Sequence, residues 1–330
     1  MPLDNILHYP VMLNEIQNII KNPKIIIDAT FGGGGYSNAF LKKFSNCNIK
    51  AFDRDEEVKN IAQELTNTYK SRFSFYHNKF SNIKDHIGND LENITHVIYD
   101  LGLSNFQIQN RKKGFSYKIN VPLKMTMGIN NYNALDILNN QTEKNLSNII
   151  SLFGEDKDAK RIAKNIIKYR NEKKISNSED LKYIILKSKR KYQKKDPFAQ
   201  TFQAIRIVVN KELNEIYYSL KFLMENSVVG TTFIIITFHS LEDRLVKNIF
   251  NFYGKSLNYS RYLPSINKIN TFKIITKKPI KPSNKEIVIN PNSRSAKLRV
   301  IKKINNERVS ISINNTGMEK YLTLESQINE

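Results

Sequence analysis

Four consecutive glycines at residues 32–35 constrain the fold of this chain more than any other feature of its sequence. A short β-branched run at residues 25–27 leads through Asp28 into the glycines, and a helix-like segment follows at residues 37–44. Glycine suits such a turn because a residue without Cβ can turn tightly and lie flat against a ligand. The order strand, glycine-rich turn, helix is typical of the opening of a nucleotide-binding α/β domain.

The spacing within this turn favours one kind of ligand. The turn reads D-x-x-x-G-x-G through Asp28, Gly32 and Gly34, but Ser37 stands where a dinucleotide fingerprint has its third glycine. No Gly-Lys-Ser/Thr follows, so the sequence lacks a P-loop. A ligand without phosphates, such as S-adenosylmethionine, therefore fits better than NAD or ATP, and an NAD-linked enzyme stays a further alternative.

Three more strand patterns follow the glycine turn, at residues 49–53, 73–77 and 96–100, with helical periodicity over residues 56–69. Strands that alternate with helices predict a parallel, doubly wound sheet, which is a Rossmann-like α/β fold. Ligands of such sheets bind at the carboxyl ends of the strands. Asp28, Asp53 and Asp100 all lie at those ends.

The second half of the chain predicts an insertion. Only helical patterns occur from about residue 133 to 195, and we expect residues 126–198 to form an all-helical domain inserted between an α/β part at 1–125 and its continuation at 199–305. Residues 201–226 predict one long amphipathic helix and residues 231–238 a buried strand. Two antiparallel closing strands are expected at 272–276 and 296–302. Residues 306–330 predict a polar, frayed tail.

Composition narrows the class of protein. The chain has 330 residues and a formal net charge of +21, which predicts a polyanionic partner such as nucleic acid. A lysine-rich composition that only solvates the surface is the alternative. The single cysteine, Cys47, and the absence of an H-x-x-x-H pair predict no disulfide framework and no metal site. Apolar runs too short to span a bilayer, with no signal or transit peptide, predict a cytoplasmic protein without a membrane partner.

Two acids at strand ends are candidate ligand contacts. Asp53, 18 positions after Gly35, is placed to accept both hydroxyls of a ribose. Its alternative role, an N-cap for the helix near Glu56, is served equally well by Asp55. Asp100 opens the turn after the fourth strand, the place that holds the target nitrogen in amine-methylating enzymes. An exocyclic amine on a base is a poor nucleophile, and an acceptor on its N–H helps it attack. An ordinary strand-end turn is the alternative.

A third cluster follows the most apolar strand, at residues 238–244. A hydrolytic Ser/His pair is disfavoured, because His239 and Ser240 are adjacent and no nucleophile-elbow glycines surround Ser240. Ser240 is the predicted cap of a helix over residues 241–250, which leaves His239 and Arg244 unexplained. The basic runs at 187–195, 277–281 and 293–299 are candidate phosphate contacts, with solvated loops as the alternative.

Taken in chain order, these segments resemble the ribosomal RNA small subunit methyltransferase H family, also called MraW. Residues 8–15 are similar to its H-x-P-V-L-L-x-E, residues 28–37 to D-x-T-x-G-x-G-G-H-S, residues 100–107 to D-L-G-V-S-S-P-Q and residues 113–117 to R-G-F-S-F. Residues 154–155 and 161–163 resemble the family's inserted block. Residues 202–213 resemble F-Q-A-L-R-I-x-x-N-x-E-L, and residues 290–299 resemble N-P-R-S-R-S-A-K-L-R. Residues 238–244 match F-H-S-L-E-D-R without a change.

The resemblance implies a class I methyltransferase sheet and a methyltransferase that uses S-adenosylmethionine to modify N4 of a cytidine in the decoding region of small-subunit ribosomal RNA. The cofactor contacts it implies are Gly34, Gly35, Tyr36, Asp53, Phe80, Asp100 and Gln107, with Phe80 as a wall for the adenine. Asp100 would hold the target amine, and His239 and Arg244 would orient the base or a phosphate. The inserted helices would dock the subunit, and the target base would leave its stack.

Several positions depart from the family pattern. Tyr36 replaces a histidine beside the glycines, Lys124 and Thr126 replace an acid and an arginine, Asn105-Phe106 replaces S-P, and Gln200 replaces an arginine. These changes motivate a second hypothesis, a non-catalytic RNA-binding ribosome assembly factor with the same fold. The sequence leaves both a monomer and a homodimer open.

Overall fold

The computed structural model describes residues 10–104, 107–108, 110–130, 132–190, 196–255 and 270–328. The chain divides into two compact units. A sheet unit comprises Met1–Gly102 and Glu215–Met318, and a helical unit comprises Leu103–Asn214 and Glu319–Glu330. The predicted insertion, residues 126–198, lies inside the helical unit, and its status as a separate domain stays a prediction.

The sheet unit is built on one seven-stranded sheet with the strand order β3-β2-β1-β4-β5-β7-β6. The strands are β1 Ile25–Asp28, β2 Asn48–Asp53, β3 Phe73–His77, β4 Ile94–Leu101, β5 Thr232–Thr237, β6 Phe272–Ile274 and β7 Lys297–Lys303. β1 to β5 pair in parallel, whereas β7 pairs antiparallel with both β5 and β6. The predicted Rossmann-like sheet and its antiparallel closing strands are confirmed.

Helices cover the sheet on both faces. Those that precede the helical unit in the chain are α1 Leu13–Ile19, α2 Gly35–Lys43, α3 Lys59–Tyr69 and α4 Lys84–Ile87. The first three pack on the face that carries Ile26, Ile49 and Ile234. Phe233 points to the opposite face because consecutive strand residues alternate, and it contacts Phe272 there. Every residue of β1 and β5 is buried, as expected of strands covered on both sides.

The helical unit contains α5 Ala134–Asn140, α6 Glu143–Gly154, α7 Ala159–Glu172, α8 Ser178–Ser188 and α9 Ala199–Asn210. Side chains at the N-caps explain where three of these helices begin. Asn133, Thr142 and Asn177 each accept a hydrogen bond from a backbone N–H of the first turn. Such caps satisfy donors that have no partner within the helix.

The prediction of one long helix over residues 201–226 was wrong. Two helices occupy this stretch, α9 and α10 Glu212–Asn226, and Lys211 between them has a left-handed backbone with φ 51°. Arg206 and Glu212 form a bidentate ion pair across the break, with both nitrogen–oxygen distances 2.8 Å. The apolar periodicity continues through Lys211, which is why the sequence pattern did not reveal the break.

The remaining helices are α11 Ser240–Gly254, α12 Asn284–Ile289 and α13 Glu319–Gln327. The last of these lies where the sequence predicted a frayed tail, and that prediction was wrong for the described residues. Leu322 and Glu325 of α13 are fully buried. Glu325 accepts hydrogen bonds from the backbone N–H groups of Leu213 and Asn214, at 3.2 and 2.7 Å, in the first turn of α10. Buried capping contacts of this kind order a segment whose composition is polar.

Candidate functional site

The glycine turn adopts the strained geometry that its composition predicted. Gly32 and Gly34 have positive φ values of 52° and 73°, and Gly34 is the N-cap of α2. A Cβ atom on Gly34 would lie 2.9 Å from the ring of Phe31. Only glycine therefore fits at residue 34, both for its backbone conformation and for its surroundings.

Hydrogen bonds join this turn to the neighbouring strands. The N–H of Gly32 donates to Oδ2 of Asp53 at 2.7 Å, and the N–H of Phe31 donates to the Phe52 carbonyl at 2.9 Å. On the other side, the N–H of Asp100 donates to Oγ1 of Thr30 at 2.7 Å. Hydrogen bonds of the turn that follows β1 thus connect the carboxyl ends of β1, β2 and β4.

Asp28 supports the turn from inside the protein. It is fully buried, and its Oδ2 accepts a 2.7 Å hydrogen bond from the hydroxyl of Ser37, which is also fully buried. Burial raises the pKa of Asp28 to about 6, although the hydrogen bonds from Ser37 and Thr30 act in the opposite direction. Ser37, where a dinucleotide fingerprint has glycine, is therefore the partner of this aspartate.

Asp53 is half-buried at the end of β2. Its Oδ2 accepts from Gly32, and its Oδ1 accepts from the N–H of Asp55 at 2.8 Å. Burial raises the pKa of Asp53, and these two hydrogen bonds oppose the shift. The cap of the following 3-10 turn is Asp55, whose Oδ1 accepts from Glu57, so Asp53 is not the cap. A carboxylate has about four acceptor sites, which leaves Asp53 with capacity for a ligand.

Tyr36 is buried in the core of the sheet unit and stacks on Phe40 at 6.2 Å. Its hydroxyl donates to the backbone carbonyl of Val11. Burial, followed by the charges of Asp100 and Asp28, raises its pKa well above the ordinary value. The tyrosine side chain thus anchors the segment before α1, a role that the sequence did not suggest.

Asp100 carries the most unusual polar atom of this edge. Its Oδ1 is buried and has no hydrogen-bond partner among the residues that the structure describes. Burial raises its pKa to about 7, and the charges of Asp28, Glu242 and Glu286 act in the same direction. The nearby Tyr36 hydroxyl lowers this pKa only in part, since its proton goes to Val11. A buried acceptor without a donor is costly unless a ligand supplies one.

Phe80 begins a short 3-10 turn, Phe80–Asn82, after β3. Its half-buried ring meets the edge of Tyr99, the residue before Asp100, at 5.5 Å and 87°. Tyr99 is fully buried, so Phe80 alone of the pair contributes apolar surface after β3. Such a surface suits a flat heteroaromatic ring.

His239 is the N-cap of α11, and the prediction that Ser240 caps this helix was wrong. The Nδ1 atom of His239 accepts from the N–H of Glu242 at 3.4 Å. Oε2 of Glu242 in return accepts from the N–H groups of Phe238 and His239, at 2.8 and 3.2 Å. This capping box fixes the strand–helix junction. Phe238 also packs against Gly102, where a Cβ atom would lie 2.9 Å from its ring, so the ends of β4 and β5 are in contact.

Two cations of the basic stretch over residues 293–299 pair with Asp243 of α11. Asp243 directly precedes the half-buried Arg244 in the chain. Arg299 donates to both carboxylate oxygens of Asp243, at 2.7 and 3.2 Å, and Lys297 lies 3.3 Å from the same group. Burial would raise the pKa of Asp243, but these two cations hold it below its usual value. Lys297 and Arg299 are therefore partners of Asp243, whereas Arg294, the remaining cation of this stretch, is exposed.

Gln107 belongs to the helical unit. It is buried, and its Oε1 accepts from the N–H of Ser104 at 3.1 Å, while the Ser104 hydroxyl accepts from the N–H of Gln107 at 3.2 Å. Asn105 and Phe106, two departures from the family pattern, lie outside the described residues. Within the basic run at 187–195, Lys189 pairs with Asp156 at 2.6 Å, and residues 191–195 also lie outside the description.

Lys124 and Thr126, two further departures, flank the buried Met125, whose φ is 56°. Asn210 holds this segment. Its Nδ2 donates to the Met125 carbonyl at 2.8 Å, and its Oδ1 accepts from the N–H of Met127 at 2.9 Å. The asparagine of the F-Q-A-I-R-I-x-x-N stretch is therefore explained by a backbone contact.

Sequence reasoning missed Glu286 of α12. Its Oε1 accepts a 2.6 Å hydrogen bond from the N–H of Met12, the residue next to the carbonyl that Tyr36 holds. Burial raises the pKa of Glu286, and the charge of Glu286 in turn raises the pKa values of Tyr36 and Asp100. The pattern Ser283-x-x-Glu286 was a visible signal for the start of a helix, since Oγ of Ser283 accepts from the N–H of Glu286.

A parallel sheet that ends in antiparallel strands, with a glycine turn and acids at one edge, defines a Rossmann-like class I methyltransferase fold. The chain belongs to the MraW methylase family, whose sequence profile matches residues 5–304. It is 41% identical over 305 residues to the ribosomal RNA small subunit methyltransferase H of Ehrlichia canis, which covers 90% of this chain and 100% of that protein. The protein with the same name from Clostridioides difficile is also 41% identical, over 307 residues that cover 90% of this chain and 99% of that one.

Among the described residues, no helix has both the length and the apolar character needed to span a membrane.

Proposed function

We propose that this methyltransferase uses S-adenosylmethionine to methylate N4 of a cytidine in the decoding region of small-subunit ribosomal RNA. The names of its relatives support the RNA substrate. The observation that carries the proposal is the buried Oδ1 of Asp100 at the carboxyl end of β4, which has no hydrogen-bond partner within the described part of the chain. Because that substrate is assembled in the cytoplasm, we propose the same location for this protein.

The residues of the sheet unit fit the proposed cofactor. Gly34 has no room for a Cβ atom beside Phe31, Gly35 begins α2 directly after it, and Asp53 retains acceptor capacity for ribose hydroxyls. Phe80 offers an apolar wall for an adenine ring. Tyr36 contributes through its backbone, because its side chain is committed to Val11. Gln107 and Asp100 complete the proposed set of cofactor contacts.

S-adenosylmethionine supplies an electrophilic methyl group on a sulfonium that is already a good leaving group. Asp100 accepts a hydrogen bond from the exocyclic amine of cytosine and draws its nitrogen toward tetrahedral geometry, and the proton that the nitrogen loses on methylation passes to solvent. Positioning of that nitrogen supplies most of the remaining acceleration. His239 and Arg244 orient the base or a phosphate, with His239 held in place by its capping box. The base is taken out of its stack before it reaches Asp100.

The direct test is incubation of the full chain with methyl-labelled cofactor and undermethylated small subunits, followed by nucleoside analysis. Label on N4 of one decoding-region cytidine is expected. Transfer to another nucleoside would overturn the specificity, and transfer to no nucleoside in any assembly state of the subunit would overturn the proposed activity.

A second candidate function is a non-catalytic RNA-binding assembly factor. Lys124 and Thr126, which stand where the family has an acid and an arginine, favour it. It predicts tight, salt-dependent binding to small subunits without any methyl transfer. The same incubation, combined with a binding assay, separates the two candidates, and sedimentation of the free chain separates monomer from homodimer.

A further inference from the structure

A pocket of about 450 Å³ opens at the edge of the sheet opposite the glycine turn. Its lining includes Lys24, Ile94 and Thr232, which lie at or just before the first residues of β1, β4 and β5. Asp100 lies six residues along β4 from Ile94, and at about 3.3 Å per residue the two edges are about 20 Å apart. The pocket is therefore separate from the proposed cofactor site.

Among the charged side chains that line this pocket, lysines outnumber acids by three to one. Lys21, Lys24 and Lys302 all contribute to it and are exposed, and none has an ion-pair partner among the described residues. Glu92 is also in the lining, and the described structure shows no ion pair between it and these amines. The arrangement leaves an excess of positive charge at the mouth of a concave surface.

The strand register adds a fourth cation. Lys302 on β7 lies directly opposite Lys273 on β6, so the two side chains project from the same face of the antiparallel pair. Like charges directly opposite each other destabilise a sheet unless an anion lies between them. His96 in the pocket floor does not supply a further charge, because burial and then Lys302 lower its pKa to about 4.

Apolar groups line the rest of the pocket. Val229 and Ile275 are about half exposed, at 49% and 47%, and both contribute to its rim. A cation cluster over a half-open apolar concavity matches a nucleotide unit of an RNA strand, in which a charged phosphate adjoins a sugar. An acidic protein segment would also place carboxylates near the lysines, but it has no sugar ring to fill the apolar concavity.

We propose that this pocket, with Lys21, Lys24, Lys273 and Lys302, binds the phosphate backbone of the RNA substrate at a second contact about 20 Å from the methyl-transfer site. The proposal rests on the proposed RNA substrate and adds a docking surface to it. Each neutralised phosphate releases condensed counterions, so these lysines set part of the salt dependence of binding.

The test compares the full chain with the triple variant Lys21→Gln, Lys24→Gln, Lys302→Gln in binding to isolated small subunits over a range of salt concentrations. The magnitude of the slope of log K against log salt is expected to fall by about 2, since each phosphate contact contributes about 0.7–0.9. A triple arginine variant is expected to keep the slope. The matched control, Lys42→Gln, Lys70→Gln, Lys84→Gln, removes three exposed lysines of the same unit outside the pocket.

Equal slopes for the pocket variant and the control would overturn the proposal. Competition by polyglutamate but not by RNA would overturn it as well, in favour of an acidic protein partner. Calorimetry with S-adenosylmethionine checks that the pocket variant is folded, because its substitutions lie at the far edge of the sheet. A chain that transfers no methyl group, but whose slope falls as expected, would contradict the proposed activity and support the pocket.

Discussion

The backbone N–H of Gly32 donates a 2.7 Å hydrogen bond to Oδ2 of Asp53, which ties the glycine turn to the end of the second strand. Asp53 thus has two roles. It holds the turn in shape, and it keeps acceptor positions that a ribose can use.

Substitution of Asp53 by alanine is expected to weaken binding of S-adenosylmethionine by at least tenfold. The variant loses hydrogen bonds to a charged acceptor, each worth about 1.5–3 kcal/mol, and it releases the N–H of Gly32. Isothermal calorimetry measures the change, with Asp85→Asn as a control on an exposed aspartate. Unchanged affinity would refute the ribose role.

Substitution of Asp100 by asparagine is expected to slow methyl transfer by about 10²-fold or more, because the amide is a weaker acceptor for the substrate amine. Cofactor affinity should change much less than the rate. Single-turnover measurements with saturating cofactor separate the two effects. A rate close to that of the unaltered chain would show that Asp100 does not contact the amine.

The pH dependence of the same step follows from the burial of Asp100. Its pKa is raised to about 7, and the ionised form is a much stronger hydrogen-bond acceptor than the protonated form. The rate of methyl transfer should therefore rise with pH up to about 7 and then level off. The bound sulfonium is positively charged and lowers the pKa of Asp100, so the midpoint of this rise should lie at a lower pH when the cofactor is bound. A rate that falls over pH 6 to 8 would contradict this assignment.

Gly34→Ala is expected to lower both stability and cofactor affinity, whereas Gly88→Ala should affect stability alone. Both glycines have positive φ, which costs an alanine about 1–2 kcal/mol. Only at Gly34 does the new Cβ also meet Phe31, at 2.9 Å, whereas nothing lies within 4 Å at Gly88. Thermal unfolding and calorimetry of the two variants measure the difference, and equal losses would contradict the steric argument.

Glu325 is expected to make stability depend on pH. Burial raises its folded-state pKa to about 8, above an unfolded value of about 4.3. The folded chain therefore binds the extra proton, so this contribution is complete below about pH 4.3 and is lost as pH rises to about 8. Urea unfolding at pH 5 and 8 should show a smaller loss for Glu325→Gln than for the unaltered chain. The exposed Glu319→Gln is the control, and equal losses in all three chains would contradict the prediction.

Much of the sheet was predictable because its determinants are local. The β-branched runs, the glycines and the acids at strand ends lie within a few residues of one another, and the periodicity of the chain reports them directly. The position of Asp100 followed from the same pattern. Its raised pKa did not, because it depends on burial and on the charges of residues such as Glu242 and Glu286, which are distant in sequence.

The predictions that were wrong share a physical cause. The break at Lys211, the cap formed by His239 and the buried Glu325 each depend on partners that contribute little to local hydrophobic periodicity. The role of Tyr36 likewise depends on the Val11 carbonyl, 25 residues away. The hydrogen bond between Tyr36 and Val11 thus accommodates the departure from the family pattern at residue 36. A comparison of motifs alone does not reveal this contact.

The bonds from Gly32 to Asp53, from Phe31 to Phe52 and from Asp100 to Thr30 have a kinetic consequence. A turn that is fixed on both sides is already in its binding shape, so nearly all molecules are competent before the ligand arrives. The observed association rate should then rise linearly with ligand concentration. A plateau, which marks a slow rearrangement coupled to binding, is not expected.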